Sequence, residues 1–284
     1  MTQTVVDQLR ESLGSFPVTE RRVAHRLLAE YPMAGLQSAT DLARAVGVST
    51  PTVLRMVARL GFESYVDFQR RLRDELTAQL SSPLQKPVAL RSPGKKAQVH
   101  AHIALGEAVA RNVEETFANL SAQEVEQVVR LLGDRKNRVH MIGGRFTDAL
   151  ARYLSVQMCI IRPGVRHLQD QEANWQDQLL DMDHRDVLLI FDIRRYQASL
   201  QRLAELAAAK QVRVLLITDQ WLSPIAKVAK HVLPARVVVP SVWDSSAALM
   251  AICEALLAAV TRDNWDYAQK RIRDLERLRA GAKS

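Results

Sequence analysis

The chain has 284 residues, 48% hydrophobic and 25% charged, with a mean hydropathy of −0.11 and only 11 Gly and 10 Pro. That is material for one large core or two modest ones, and it excludes long disorder and collagen-like or strand-repeat architectures. Thirty-nine basic against 31 acidic residues leave a net charge of +8, which suits a polyanionic partner without locating its face.

No apolar run approaches the roughly 20 residues of a membrane span, so a cytoplasmic protein with no membrane partner is expected. Cys159 and Cys253 sit in the apolar stretches LSVQMCII and ALMAICEALLAAV, with no second ligand at metal spacing. Both are expected as buried thiols in a reducing compartment.

In chain order, the first strong pattern is SATDLARAVGVSTPTVLRMVARL, Ser38 to Leu60, with Ala43, Gly47 and Val53 at helix-turn-helix spacing. A small Ala43 lets two helices approach, Gly47 supplies the left-handed turn, and Val53 packs the second helix back on the first. Ser49 is a natural N-cap, and Pro51 is tolerated in a first turn whose N–H groups lack acceptors. Val53, Met56, Val57 and Leu60 recur at i, i+3, i+4 and i+7 and predict the buried stripe. Pro51, Arg55 and Arg59 then point outward, toward a major groove of double-stranded operator DNA. Arg55 is long enough for a guanine edge, Thr50 and Thr52 for base edges or phosphates, and Arg59 for a backbone phosphate. The plain alternative is an αα-hairpin in a bundle with solvated arginines.

From Ser81, SSPLQKPVALRSPGKKAQ concentrates Pro83, Pro87, Pro93 and Gly94 with Lys86, Arg91, Lys95 and Lys96 and no acid. It breaks any continuous helix and predicts a basic linker over 81–97, between a DNA-binding domain at 1–80 and a second domain at 98–284. In that second domain a helix over Gln98 to Ala118 leads to short β-branched runs at Arg138 to Ile142, Val165 to Leu168, Val187 to Phe191, Val212 to Thr218 and Val232 to Val239. Helical patterns at Asp148 to Cys159, Ala173 to Leu180, Gln197 to Lys210 and Trp243 to Val260 separate or follow them. The alternation predicts an open five-stranded parallel sheet whose ligand sits at the strands' C-terminal ends. A charged amphipathic helix over Trp265 to Arg279 closes the chain.

Thr19 to Leu76 resembles the N-terminal domain of the RpiR/MurR family of bacterial transcriptional regulators. The likeness rests on TERRVAHRLLAEYP, on SATDLARAVGVSTPTVLRMVARLGFESYVDFQRRLRDEL, on the Leu60-Gly61-Phe62 step and on the Phe-containing helix with Tyr65 to Phe68. It implies a winged or extended helix-turn-helix dimer on a palindromic operator. It also implies a sugar isomerase (SIS) domain over roughly Gln98 to Arg262, serving effector binding and dimerisation. The expected assembly is a homodimer or homotetramer, and the expected function is a regulator, by preference a repressor, controlled by a sugar phosphate or another anionic carbohydrate derivative.

In that family two hydroxyl- and glycine-rich loops beside helix N-termini hold a phosphosugar. Here the first reads Gly143-Gly144-Arg145-Phe146-Thr147 and the second Asp192-Ile193-Arg194-Arg195-Tyr196-Gln197, so most of both patterns is lost. Gly143, Gly144 and the Thr147 hydroxyl of the first loop, with Arg145, Arg194, Arg195, Asp192, Tyr196 and Gln197, form one candidate set for an anionic or polyhydroxylated metabolite. Ser245, with Ser241, Asp244 and Ser246, supplies a third edge or merely caps a helix. On the competing reading Asp192 pairs internally with an arginine, the pocket is filled, and the domain is a ligand-blind dimerisation scaffold. No cofactor is expected, because neither a dinucleotide fingerprint nor a Walker loop is present, and His140, His167, His184 and His231 fall in separate units. A phosphosugar isomerase remains an alternative, weakened by the altered loops and the attached DNA-reading helices.

Overall fold

The computed structural model describes residues 4–80, 100–168 and 172–281, so the proposed linker lies outside the described residues. The chain divides into two compact units, Met1–Lys86 and Pro87–Ser284.

The first unit is helical: α1 (Val5–Ser12), α2 (Val18–Ala29), α3 (Met33–Leu36), α4 (Ala39–Val46), α5 (Thr50–Arg59) and α6 (Tyr65–Leu80). Its described residues contain no strand, which corrects the winged alternative in favour of the extended helical one. The starts of α1 and α4 are set by side-chain caps. Thr4 and Asp7 cap each other's backbone N–H at 3.2 Å, and Ser38 Oγ accepts the Asp41 N–H at 3.1 Å. Helix α4 stops at Gly47, where φ is +66° and the Val48 N–H returns to the Ala43 carbonyl at 3.0 Å. Val5, Phe16, Leu27, Leu42, Met56 and Phe68 pack one core, against which the predicted stripe of α5 is buried. Glu75 of α6 fastens the ends of this unit, accepting the Val5 N–H at 3.1 Å and the Tyr31 hydroxyl while Arg71 Nε pairs with it at 3.0 Å.

The second unit opens with α7 (Ala101–Asn119) and α8 (Ala122–Gly133). Then come β1 (Arg138–Gly143), α9 (Asp148–Ile161), β2 (Val165–His167), α10 (Glu172–Leu179), β3 (Asp186–Asp192), α11 (Ala198–Ala209), β4 (Arg213–Asp219), a 3-10 turn at Pro224–Lys227 and β5 (His231–Ala235). Helices α12 (Ala247–Asp263) and α13 (Trp265–Gly281) follow. The five strands are all parallel, in the order β2-β1-β3-β4-β5. Leu188 and Ile190 of β3 with Val214 and Leu216 of β4 pack beside Trp175, Leu200 and Leu203 of α10 and α11, while α9 packs against β1, α12 and α13. Both faces are therefore covered, which is why VLLIF, the middle of β3, is apolar throughout and the whole strand is buried. Chain order reverses direction across the sheet between β1 and β3, and such a switch opens a crevice beyond the strand ends.

The structure differs from the sequence reading in three elements and at one cysteine. Helix α8 is additional; Ser121 caps it, Glu124 N–H to Oγ at 3.3 Å, and Val128, Val129 and Leu132 are its buried stripe. Strand β5 ends at Ala235, because the Arg236 N–H turns to Thr116 Oγ1 (2.9 Å) and the Val237 N–H to Gln220 Oε1 (3.2 Å). As an edge strand β5 also accommodates Pro234. Helix α12 starts four residues late, since the Ser245 N–H is held by the Val237 carbonyl at 2.8 Å. Cys253 is buried as expected, whereas Cys159 is exposed on α9 with its thiol donating to the Val165 carbonyl at 3.4 Å. Among the described residues no helix is long and apolar enough to cross a membrane.

Candidate functional site

Two regions carry the candidate residues. On α5, Pro51, Leu54, Arg55, Ala58 and Arg59 are exposed and Thr50 is half-buried; Ser49, just ahead of the helix, is exposed. Leu54 was not singled out from the sequence, although its place between two inward turns marks it as outward; it can meet a thymine methyl.

Thr52 is corrected: it is only 5% exposed and reaches no partner outside the protein. Its Oγ1 lies 2.9 Å from Ser49 Oγ and accepts Arg55 Nη2 at 3.1 Å, so it holds the guanidinium rather than presenting itself. Thr52→Val keeps shape and packing but removes this acceptor. Operator affinity is expected to fall about fivefold, the worth of ~1 kcal/mol for one hydrogen bond, with random-DNA affinity unchanged. A titration in which both affinities move together would show that Thr52 acts on the fold.

Arg59 is also placed differently from a freely solvated phosphate contact. Its Nε pairs at 3.0 Å with Glu20 of α2, whose carboxylate is buried. Arg22 donates to the Val46 carbonyl at 2.5 Å, at the C-terminal end of α4, and stands 3.2 Å from where a Gly47 Cβ would lie.

The second region is the C-terminal edge of the sheet. Gly143 has no room for a Cβ, which would sit 2.4 Å from the Asp148 nitrogen. The Gly144 N–H is taken by the Phe191 carbonyl and by Thr147 Oγ1, each at 2.9 Å. Thr147, expected as a ligand hydroxyl, is buried and donates to Phe191 O at 2.7 Å, fastening the β1 loop to β3. Asp148 Oδ1 accepts the Gly143 N–H at 3.0 Å and lies 2.8 Å from His167 Nε2.

After β3, Asp192 is 2% exposed; its Oδ2 accepts Ser223 Oγ at 2.5 Å and its Oδ1 the Gln197 N–H at 3.4 Å. Gln197 also donates from Nε2 to Ser199 at 2.8 Å. Asp219, at the end of β4, is fully buried and accepts the Arg194 N–H (2.6 Å), the Tyr196 hydroxyl (2.8 Å) and the Trp221 N–H (3.0 Å). Burial pushes both carboxyls up to about 6, and the charge of Asp219 adds to the rise at Asp192.

The expected group of three arginines is divided. Arg194 is buried, 2.5 Å from Asp244 and 4.5 Å over the Trp221 ring, so an internal ion pair does form, with Asp244 rather than Asp192 as its acid. This corrects its assignment to a forked contact with ligand. Arg145 and Arg195 are exposed and both lie over Phe146, at 5.2 and 5.8 Å from its centroid. Ser245 Oγ accepts the Ala247 N–H at 3.2 Å and serves the entry to α12. Asp219, Trp221 and Ser223 were missed in the sequence, though residues directly after a central parallel strand face the crevice as a rule. Each of three histidines has its own acid, His140 meeting Asp186 at 2.9 Å, His167 Asp148 at 2.8 Å and His231 Glu124 at 3.0 Å, and among the described residues no group of three or more His, Cys, Asp or Glu is placed to hold a metal ion.

The raised carboxyls set a pH dependence. A folded pKa above the unfolded value means that the folded state binds more protons between about pH 4 and 6, so stability rises as pH falls through 6. The gain expected from pH 7 to 5 is about 1 kcal/mol for Asp192. His140, lowered chiefly by burial, works the other way. Comparing thermal melts of the wild type with Asp192→Asn isolates the carboxyl, and the variant is expected to lose that gain; identical pH profiles would remove Asp192 as its source.

The two units match separate known families. Residues 3–79 match the model described as "Helix-turn-helix domain, rpiR family", and residues 132–259 match the SIS domain. The chain thus joins an rpiR-family helix-turn-helix domain to a SIS domain. A Haemophilus influenzae protein described as an uncharacterized HTH-type transcriptional regulator is 22% identical over 237 residues, 81% of this chain and 78% of that relative. Among solved structures, the sugar isomerase domain of the Sphaerobacter thermophilus RpiR transcription factor is 22% identical, covers 63% of this chain and 99% of its own, and has a TM-score of 0.58. The Vibrio vulnificus NanR protein, solved as a complex with ManNAc-6P, is 16% identical, covers 96% and 97%, and has a TM-score of 0.55. Both share the fold with this RpiR-type chain.

Proposed function

We propose that this RpiR-family protein is a sequence-specific transcription regulator, acting as a repressor, whose grip on operator DNA is set by an anionic carbohydrate derivative at the C-terminal edge of the SIS-domain sheet. The observation that carries the reading is the outward face of α5, where Arg55 is held by Thr52, itself bonded to Ser49, beside the exposed Leu54. A homodimer or homotetramer presents two such helices to half-sites about 34 Å apart, one turn of DNA. The ligand favours one arrangement of the paired effector domains, and the operator favours one too, so each alters the affinity for the other by the same factor.

The test is a fluorescence-anisotropy titration on the DNA flanking the gene, at fixed salt, with and without sugar phosphates and sugar acids. Saturable, sequence-specific binding that one compound shifts supports the reading. Specific binding that no compound shifts leaves a ligand-blind DNA-binding scaffold, and absence of specific binding overturns the regulator.

A phosphosugar isomerase is the second reading, favoured by Asp192 and Asp219, whose raised carboxyls fall in the range of a general base. Against it, both are engaged by fixed donors. Ketose–aldose turnover lost on Asp192→Asn would establish it.

A further inference from the structure

Each helix that follows the switch between β1 and β3 starts beside a carboxylate of this chain, Asp148 as the first residue of α9 and Asp192 at the end of the strand before α11. At α9, Asp148 accepts the Gly143 N–H at 3.0 Å; at α11, Asp192 accepts the Gln197 N–H at 3.4 Å and the Ser223 hydroxyl at 2.5 Å. A phosphate dianion placed at either would stand against a fixed carboxylate and find these donors taken. The buried cation of the region, Arg194, is neutralised by Asp244 at 2.5 Å.

The remaining cations of the two loops lie at the rim. Arg145 and Arg195 come from different loops, are exposed, converge on one ring, and have no acid paired with them among the described residues. Arg195 has φ +63°, a left-handed conformation that costs a non-glycine residue about 1 kcal/mol. Phe146 and Trp243 are each 57% exposed, with ring centroids 6.3 Å apart in an edge-to-face pair, so an apolar shelf stands beside the two guanidiniums. Guanidinium forks fit a carboxylate, and exposed aromatic faces fit the C–H face of a pyranose.

We propose that this edge selects a sugar acid over a phosphosugar, with the ligand carboxylate between Arg145 and Arg195 and its ring against Phe146 and Trp243. The proposal rests on the effector reading above and narrows its ligand class.

Calorimetric titration of the full chain, without DNA, uses D-glucuronate and glucose 6-phosphate as probes. Glucuronate is expected to bind at least about tenfold more tightly, and Arg145→Ala and Arg195→Ala each to weaken it about tenfold or more. Asp192→Ser, or Asp192→Asn if the serine variant does not fold, is expected to bring glucose 6-phosphate within about threefold of glucuronate. Equal or tighter binding of the phosphosugar to the wild type, glucuronate binding unmoved by both arginine variants, or no binding of either sugar would overturn the proposal. Repeating the titration on operator DNA separates it from the regulatory reading. Glucuronate that binds without shifting operator affinity supports the site and overturns its regulatory use, whereas glucose 6-phosphate that alone shifts operator affinity does the reverse.

Discussion

Gly143→Ala is expected to destabilise the second unit by about 3 kcal/mol or more and to lower its melting transition by about 10 °C. The added Cβ would lie 2.4 Å from the Asp148 nitrogen, 2.5 Å from the Thr147 carbonyl carbon and 2.6 Å from the Asp148 Cα, all backbone atoms of the α9 entry. No rotamer change relieves contacts of that kind, so α9 must withdraw from β1 and break the Gly143–Asp148 and Thr147–Phe191 hydrogen bonds that join them. Gly144→Ala is the control, because its Cβ meets nothing closer than 3.6 Å. That methyl points at Asp192 Oδ1 and Gln197 Oε1, so it narrows the crevice while leaving the fold intact. Thermal melts following the second unit decide the matter. A Gly143→Ala protein melting within two degrees, by about the resolution of such a comparison, would mean that the loop yields where the geometry says it is rigid.

Arg55→Ala carries the largest expected effect on DNA. A bidentate contact between a guanidinium and a base edge is worth about 1–3 kcal/mol, so operator affinity is expected to fall roughly 10- to 100-fold while random-sequence affinity changes little. Arg59→Ala is expected to differ, because a contact from Arg59 to a backbone phosphate would be blind to sequence. Both affinities drop alike, and the slope of log affinity against log salt falls by about one. It also leaves the buried Glu20 carboxylate without its 3.0 Å partner, so the first unit is expected to lose roughly 1 kcal/mol of stability. Paired anisotropy titrations on operator and random DNA at two salt concentrations read all three effects. Equal losses of specificity in the two variants would end the division of labour between them.

Much of this architecture is legible in the residues. The Ala43, Gly47 and Val53 spacing locates the helix pair, because a close helix crossing and a left-handed turn each admit few side chains. The β-branched runs locate the sheet, because its central strands β1, β3 and β4, buried almost throughout, must be apolar, whereas the edge strands β2 and β5 are only partly buried. Helix α8 was equally signalled by Ser121 and Glu124 at capping distance just beyond the end of α7.

The site was harder to read, for reasons that lie in three dimensions. Helical projection places Thr52 near the outer face, but a side chain this short is decided by its nearest partner, here Ser49 and Arg55. The three arginines beyond β1 and β3 are alike in sequence, and only the fold brings Asp244, 50 residues from Arg194, to neutralise one of them. Cys159 lies in an apolar run yet faces outward, because a helix packed on one side leaves every run through its stripe with an exposed member.

The Arg59–Glu20 pair bears on how quickly such a protein finds its target. A regulator spends much of its time held by the phosphates of irrelevant DNA, and each cation committed there lengthens the stay. An arginine already satisfied by its own chain gives up a partner to join that hold, so it adds less to dwell time than a solvated one would. An operator that seats Arg55, as proposed, would keep the protein in place long enough for the exchange to occur. On the proposed reading, tethering Arg59 to Glu20 would lighten the grip during the search and leave the arginine available at the destination.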